Sequence, residues 1–164
     1  MQQPTAADPA ADTPSAASAR EVCSLQASEE EQLQADPRLA EAVALFNRGE
    51  WYACHDGFEA LWHETAGPMR PVLQGILQLA VAQLHLQRGN QRGALVLTGE
   101  GLGRLCRCPD AALGLDLADL RQSGRHWLLW LQRQAADGSG TPPEPADGAI
   151  PPPPRLQPAG VPGA

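Results

Sequence analysis

The chain has 164 residues and a formal net charge of −7 at pH 7, a length sufficient for one folded domain with tails. The charge is uneven: residues 1–36 carry −6 because one Arg stands against seven acids, residues 37–135 carry +1 and residues 136–164 carry −2. The near-neutral middle lacks the basic face of a nucleic-acid-binding domain, and no run of about 18 apolar residues could span a membrane. We therefore expect neither a nucleic-acid partner nor a membrane partner.

The N-terminal sequence and the cysteines indicate a cytoplasmic protein. Residues 1–20 have neither the basic start nor the apolar centre of a secretory signal. The four cysteines, Cys23, Cys54, Cys106 and Cys108, do not form the pattern of a disulfide framework. Cys106 and Cys108 also lack the second pair that a zinc site would need. We expect reduced thiols and a cytoplasmic location.

Both ends of the chain have a composition typical of disorder. Residues 1–27 are rich in Ala, Pro, Ser and Asp, and residues 136–164 are rich in Pro and Gly. Such segments hold too few large apolar side chains to offset the entropy lost on ordering. The sequence therefore predicts one folded domain over residues 28–135 between two disordered tails.

Start and stop signals divide the predicted domain into helices. Ser28 and Glu31 form a capping box for a short first helix, and Asp36 precedes a proline that can open the second. Glycines or a Gly-Pro pair end the segments that follow. These segments are predicted at residues 37–48, 51–66, 71–87 and 91–105.

A loop is predicted after residue 105, and Asp116 opens a last helical region in which Ser123 and Gly124 are candidates for a break. No strand is predicted. The fold class is therefore all-α, a compact multihelical bundle of about five helices built on antiparallel helix hairpins.

Polar residues recur inside the apolar faces of two of these helices. In residues 51–66, a period of 100° per residue places His55 within the apolar face and Glu59 at its edge. Residues 71–87 are apolar on nearly every side, which is typical of a central helix, yet Gln74, Gln78 and His85 fall on one narrow stripe. Buried polar groups need hydrogen-bond partners, so the stripe and the polar residues of the preceding helix are predicted to face each other.

This reasoning defines one candidate polar site at the interface of two antiparallel helices. Its residues are His55, Glu59, Trp62, Gln74, Gln78 and His85. Three interpretations stay open: a hydrogen-bonded network that fixes helix register, a small-ligand site, and a metal site in which His55, Glu59 and His85 are the ligands. No catalytic residue is assigned, because the sequence has no nucleophile elbow, phosphate loop or metalloprotease motif.

The same stretches resemble the domain of unknown function 309 family over about residues 38–122. The family pattern combines a Phe-Asn-x-Gly entry, a His-acid-x-x-Glu-x-x-Trp helix, a Gln-Gly-x-x-Gln-x-Ala-x4-His helix and a Gly-Asn-x-x-Gly-Ala turn. The matching positions here are Phe46, Asn47, Gly49, His55, Asp56, Glu59, Trp62, Gln74, Gly75, Gln78, Ala80, His85, Gly89, Asn90, Gly93 and Ala94. Asp56 stands where the family usually has Glu. The resemblance implies a small all-α bundle found mainly in bacteria and archaea, and it implies no activity.

Two functions are compatible with these features. The first is a non-enzymatic module that binds a protein or a small ligand, with a second copy of the chain also considered as a partner. The alternative is a ligand- or metal-dependent enzyme that uses His55, Glu59 and His85, with Glu59 as general base. The sequence indicates no particular cofactor or substrate.

Overall fold

The computed structural model describes residues 16–136 and 149–160. Within them lie six helices and one two-stranded antiparallel hairpin, in the order α1 (Ala16–Ala35), α2 (Pro37–Asn47), α3 (Trp51–Glu64), α4 (Arg70–Gln87), α5 (Gln91–Leu105), β1 (Ala111–Ala112), β2 (Leu115–Asp116) and α6 (Leu117–Ala136). The all-α class is confirmed, and the helix count in the described residues is close to the five expected. The hairpin lies where a loop was predicted, and each of its strands has only two residues.

The predicted helix boundaries rest on side-chain caps and left-handed glycines that the structure contains. Asp36 accepts a hydrogen bond from the Arg38 amide (2.9 Å), and Asn90 accepts one from the Gly93 amide (2.8 Å). Gly49 and Gly89, at φ +74° and +73°, end α2 and α4 in the conformation that glycine adopts without steric cost.

The first helix is longer than predicted and begins at Ala16 rather than at Ser28. Ser28 therefore lies inside the helix and is not its cap. Glu29 and Glu30 instead tie α1 to distant backbone: the Glu29 carboxylate accepts from the amides of Gly67 (2.8 Å) and Met69 (2.7 Å), and Glu30 accepts from the Leu113 amide. These two acids hold the α3–α4 turn and the hairpin against α1.

Helix α4 is the central helix, as its apolar composition predicts. It packs against α3 on one side and against α5 on the other. Contact with α5 is very close at two glycines, because a Cβ on Gly75 would lie 2.6 Å from Leu105 Cγ, and a Cβ on Gly101 would lie 3.0 Å from the Gly75 carbonyl oxygen. The two helix backbones therefore approach each other at a point where neither residue has a side chain.

Helix α6 is continuous through Ser123 and Gly124, so the break considered there is absent. A Cβ on Gly124 would lie 2.8 Å from Leu102 Cδ2, which shows that this glycine serves the contact with α5. The Arg121 side chain is buried, and its guanidinium donates to the carbonyls of Leu105 and Pro109 and to the Asp110 carboxylate. Arg121 thereby fixes the loop that follows α5.

Part of the predicted C-terminal tail packs on the domain. Residues 149–160, here called the C-terminal segment, run in extended conformation, and the side chain of Leu156 is 2% exposed within the main core cluster. The expectation that residues 136–164 contribute nothing to the core is therefore wrong for this segment. Residues 1–15, 137–148 and 161–164 of the predicted tails lie outside the described residues.

None of the helices in the described ranges is both long and apolar enough to cross a membrane.

Substitution of Gly75 tests the close approach of α4 and α5. We expect Gly75→Ala to lower the free energy of unfolding by about 1–3 kcal/mol, because the new methyl group overpacks against Leu105. The matched control is Gly103→Ala on α5, whose Cβ would meet nothing within 4 Å. The control should raise stability by about 0.5–1 kcal/mol through helix propensity. Urea denaturation measures both, and a Gly75→Ala protein as stable as the wild type would contradict the close approach.

Asp36, Arg38 and Glu64 form an ion cluster on the surface at the start of α2. This cluster predicts that the free energy of unfolding depends on pH. Hydrogen bonds from Arg38 lower the pKa of Asp36 and of Glu64 below their ordinary values of 3.8 and 4.5. The ionised carboxylates therefore favour the folded state above those values, and this contribution is lost as the pH falls through the lowered pKa values. We expect Arg38→Gln to raise both pKa values in a carboxyl-carbon NMR titration. Arg48→Gln, which removes a different exposed ion pair, should leave both unchanged.

Candidate functional site

Three side chains at the start of α3 form the group of potential metal-ligating atoms that the structure brings together. The ligand atoms of His55, Asp56 and Glu59, here called the α3 trio, all lie within 4.8 Å of one another. Helical geometry explains the grouping, because Glu59 follows His55 by four residues and Asp56 by three, the two spacings at which side chains are neighbours on a helix surface. The His55 ring Nδ1 lies 3.0 Å from an Asp56 carboxylate oxygen.

The α3 trio is accessible to solvent. The side chains of His55, Asp56 and Glu59 are 26%, 58% and 44% exposed. His55 therefore lies at the margin of the apolar face rather than deep inside it, and a ligand could reach the trio without any opening of the core. Imidazole nitrogen and carboxylate oxygen together are donors that borderline divalent cations accept.

Two neighbours extend this surface along α3. The Tyr52 ring is 62% exposed and lies 6.5 Å from the His55 ring, centroid to centroid, at 30°. One turn further on, His63 Nε2 lies 4.0 Å from a Glu59 carboxylate oxygen. The exposed edge of α3 thus carries two imidazoles, two carboxylates and one phenol.

Gln78 of the predicted site faces a different helix from the one expected. Its amide donates to the Glu100 carboxylate (2.9 Å) and accepts from the Arg104 guanidinium (2.9 Å), both on α5. The prediction that the Gln78 side chain faces α3 is therefore wrong. A narrow polar stripe on a helix that is buried on several sides shows which residues share a face, but the neighbour on that face depends on the tertiary fold.

His85 is engaged at the turn between α4 and α5. Its Nδ1 lies 2.9 Å from the Asn90 side-chain nitrogen, while the Asn90 oxygen caps α5 at the Gly93 amide. The three residues form a short chain of hydrogen bonds that fixes the turn. Among the described residues, His85 is not a member of the ligand group on α3, where Asp56 takes the place predicted for it.

Trp62 stacks under an arginine at the other end of α3. The Arg70 guanidinium carbon lies 4.0 Å from the centroid of the Trp62 ring, and Arg70 donates to the carbonyls of Trp62 (2.7 Å) and Thr65 (2.8 Å). The indole N–H of Trp62 is buried and has no hydrogen-bond partner among the described residues. Gln74, the remaining predicted residue, is partly buried on α4.

The thiol beside His55 is not a nucleophile. Cys54 is fully buried, its Sγ donates to the Trp51 carbonyl (3.3 Å), and burial raises its pKa to about 12. A thiol with that pKa stays protonated at neutral pH, and the thiolate is the reactive form. Burial also raises the pKa of the Cys108 thiol.

Sequence reasoning missed two polar residues that the fold depends on. The first is Arg121, whose signal in the sequence is an Arg inside the apolar face of an amphipathic helix. The second is Asn47, which the family pattern includes without a contact, and whose amide holds the backbone of Leu156 in the structure.

Asn90 should contribute to stability through its cap. We expect Asn90→Ala to cost about 1 kcal/mol, because the Gly93 amide and His85 Nδ1 both lose their partner. Asn90→Asp keeps a cap acceptor and should cost less. Thermal unfolding of the two variants measures the difference, and equal losses would show that the cap is not what stabilises the turn.

Comparison with known proteins agrees with the motif pattern. Residues 39–97 match the model of the family described as domain of unknown function (DUF309). The chain is also 25% identical over 84 residues to an uncharacterized protein of Aquifex aeolicus, an alignment that covers 51% of this chain and 25% of that protein. The chain therefore spans about a quarter of that relative's length. These matches confirm, over residues 39–97, the resemblance to the DUF309 family that the sequence motifs predict.

Proposed function

We propose that the chain is a non-enzymatic binding module that presents the α3 trio, His55, Asp56 and Glu59, to a ligand. The observation that carries the proposal is the contrast between this trio and the rest of the predicted polar site. Gln78 and His85 have hydrogen bonds that join elements of the fold, whereas the trio lies together and is open to solvent. A surface group of this kind can bind without a closed cavity.

The surroundings of the trio favour binding over catalysis. A general acid or base works best where water is excluded and a positioned partner orients it. The trio is instead exposed, and the buried thiol next to it has a pKa of about 12. The exposure of the trio therefore favours a binding module over an enzyme that uses His55, Glu59 and His85.

The ligand chemistry that fits the trio best is a divalent metal ion. One imidazole and two carboxylates suit zinc, manganese or nickel, with water completing the coordination. Because helical spacing alone sets the trio and its side chains are exposed, the expected affinity is that of a surface site rather than of a structural zinc site.

We further propose that the module works in a reducing compartment such as the cytoplasm. The cysteines with described side chains, Cys54, Cys106 and Cys108, are all free thiols. Cys106 is exposed, and an exposed thiol is prone to oxidation outside reducing compartments.

Isothermal titration of the full chain with zinc, nickel, manganese and magnesium salts tests the proposal. We expect zinc or nickel to bind, and His55→Gln or Glu59→Gln to weaken that binding at least about tenfold, as loss of one ligand requires. His126→Gln removes an exposed imidazole from α6 and is the matched control.

His85→Gln separates the proposal from its alternative. If the module binds through the α3 trio, this variant should keep the wild-type affinity, because His85 is paired with Asn90. A loss equal to that of His55→Gln would instead support the site formed by His55, Glu59 and His85. Failure of all four metals to bind below 1 mM, about 4 kcal/mol of binding free energy, would exclude the metal site.

A further inference from the structure

The C-terminal segment is held on the domain in the way that a bound peptide is held. Across the described residues 149–160, the segment contributes no helix and lies extended over α2, the hairpin and α6. Its contacts are of three kinds: a side-chain amide that grips its backbone, main-chain pairing with a strand edge, and apolar side chains in the core. Each is a recognised mode of peptide binding.

Asn47, the last residue of α2, forms hydrogen bonds with both backbone polar groups of Leu156. Its Nδ2 donates to the Leu156 carbonyl (2.9 Å), and its Oδ1 accepts from the Leu156 amide (2.7 Å). A primary amide that meets one residue's N–H and C=O in this way reproduces the pairing of a neighbouring strand. The contact needs an extended ligand and does not depend on the side chain at that position.

Strand β2 adds a second set of main-chain contacts. The Asp116 amide donates to the Gln157 carbonyl (2.9 Å), the Ala159 amide donates to the Gly114 carbonyl (2.9 Å), and Leu115 and Pro158 form an antiparallel bridge. Pro158 has no N–H, and the hydrogen bonds of this bridge are formed by the residues on either side of it. The segment thus augments the edge of the hairpin, as a peptide strand augments a sheet.

Side-chain burial alternates over residues 154–157, as in a bound strand. Pro154 and Leu156 are buried, whereas Arg155, Gln157 and Pro158 are exposed. Earlier in the segment, the Trp127 indole donates to the Pro152 carbonyl (2.9 Å), a contact typical of grooves that bind polyproline. The recognised pattern is therefore Pro-x-Leu, preceded by prolines and followed by a segment that pairs through its main chain.

We propose that this surface is a peptide-binding groove and that residues 150–159 are its tethered ligand. The groove is specific for an extended proline-rich peptide that contains Pro-x-Leu, and such a peptide on another chain can occupy it when the tethered segment leaves. Residues 137–148, the tether, join the segment covalently to α6, so the segment competes for the groove as an intramolecular ligand. A competing peptide is therefore excluded until the tether is cut or the segment is released.

The groove lies apart from the α3 trio, and this inference does not depend on the proposed function. Asn47 lies within the stretch that matches the DUF309 family, whereas the strand edge, Trp127 and the segment lie beyond it. The groove is thus formed by Asn47, which lies inside the stretch that matches the family, and by elements that lie outside that stretch.

Cutting the tether in the folded protein tests the proposal. Residues 139–145 of the full chain are replaced by a protease recognition sequence of the same length, and the purified protein is cleaved. Native mass spectrometry should then show both fragments associated at high concentration and separated on dilution. A fluorescent peptide of residues 149–160 should bind the cleaved protein in fluorescence anisotropy, and it should bind the uncut protein at least about a hundredfold more weakly.

Variant peptides give matched controls that leave the protein unchanged. A peptide with Leu156→Asp should bind at least about thirtyfold more weakly, because a buried apolar side chain is replaced by a charge. A peptide with Arg155→Ala should bind like the wild type, since Arg155 is exposed. On the protein side, Asn47→Asp keeps the acceptor but loses the donor to the Leu156 carbonyl, and it should weaken binding with the circular dichroism spectrum unchanged.

Three outcomes would overturn the proposal. In the first, the cleaved protein stays folded but binds no labelled peptide up to 1 mM. In the second, the wild-type and Leu156→Asp peptides bind equally, which would mean that the groove does not discriminate between peptide sequences. In the third, the protein unfolds on cleavage, which would make the segment an integral part of the core rather than an exchangeable ligand.

Discussion

The fold depends on the close contact between the backbones of α4 and α5 at Gly75 and Gly101. Because these residues have no side chains, α4 lies very close to α5. Helix α4 also packs on α3. The remaining helices follow in turn, with α3 on α4, α2 on α3, α1 on α2 and α6 on α5. The contact also decides where the polar stripe of α4 points, since Gln78 lies on the α5 side, between Glu100 and Arg104.

Local signals were enough to predict the helices of the family-like part. Caps such as Asp36 and Asn90 and left-handed glycines such as Gly49 act over a few residues, so the sequence alone contains the information. The extent of α1 was not predictable in this way. The part that was missed, residues 16–27, has the Ala- and Ser-rich composition from which disorder is inferred, whereas the contacts of Glu29 with the α3–α4 turn lie in the part that was predicted.

In the candidate site, too, local spacing was predictable from the sequence and tertiary placement was not. The pairing of His55 with Glu59 follows from helical spacing and was predictable, whereas the placement of His85 depends on a hydrogen bond to Asn90 across a turn. The average composition of residues 136–164 indicates disorder, yet the C-terminal segment packs on the domain. Disorder is inferred from the average over a window, but one buried Leu156 and a few main-chain hydrogen bonds suffice to hold an extended strand.

The burial of Leu156 also changes how the coding sequence should be read. A nonsense or frameshift change late in a proline-rich terminus is usually regarded as harmless, because such termini seldom carry folded structure. Here, a stop codon upstream of Leu156 removes a residue of the main core and leaves the edge of β2 and the Asn47 amide without their partners. An uncovered apolar groove beside an open strand edge favours self-association. Truncated forms of this protein would therefore self-associate at the uncovered groove.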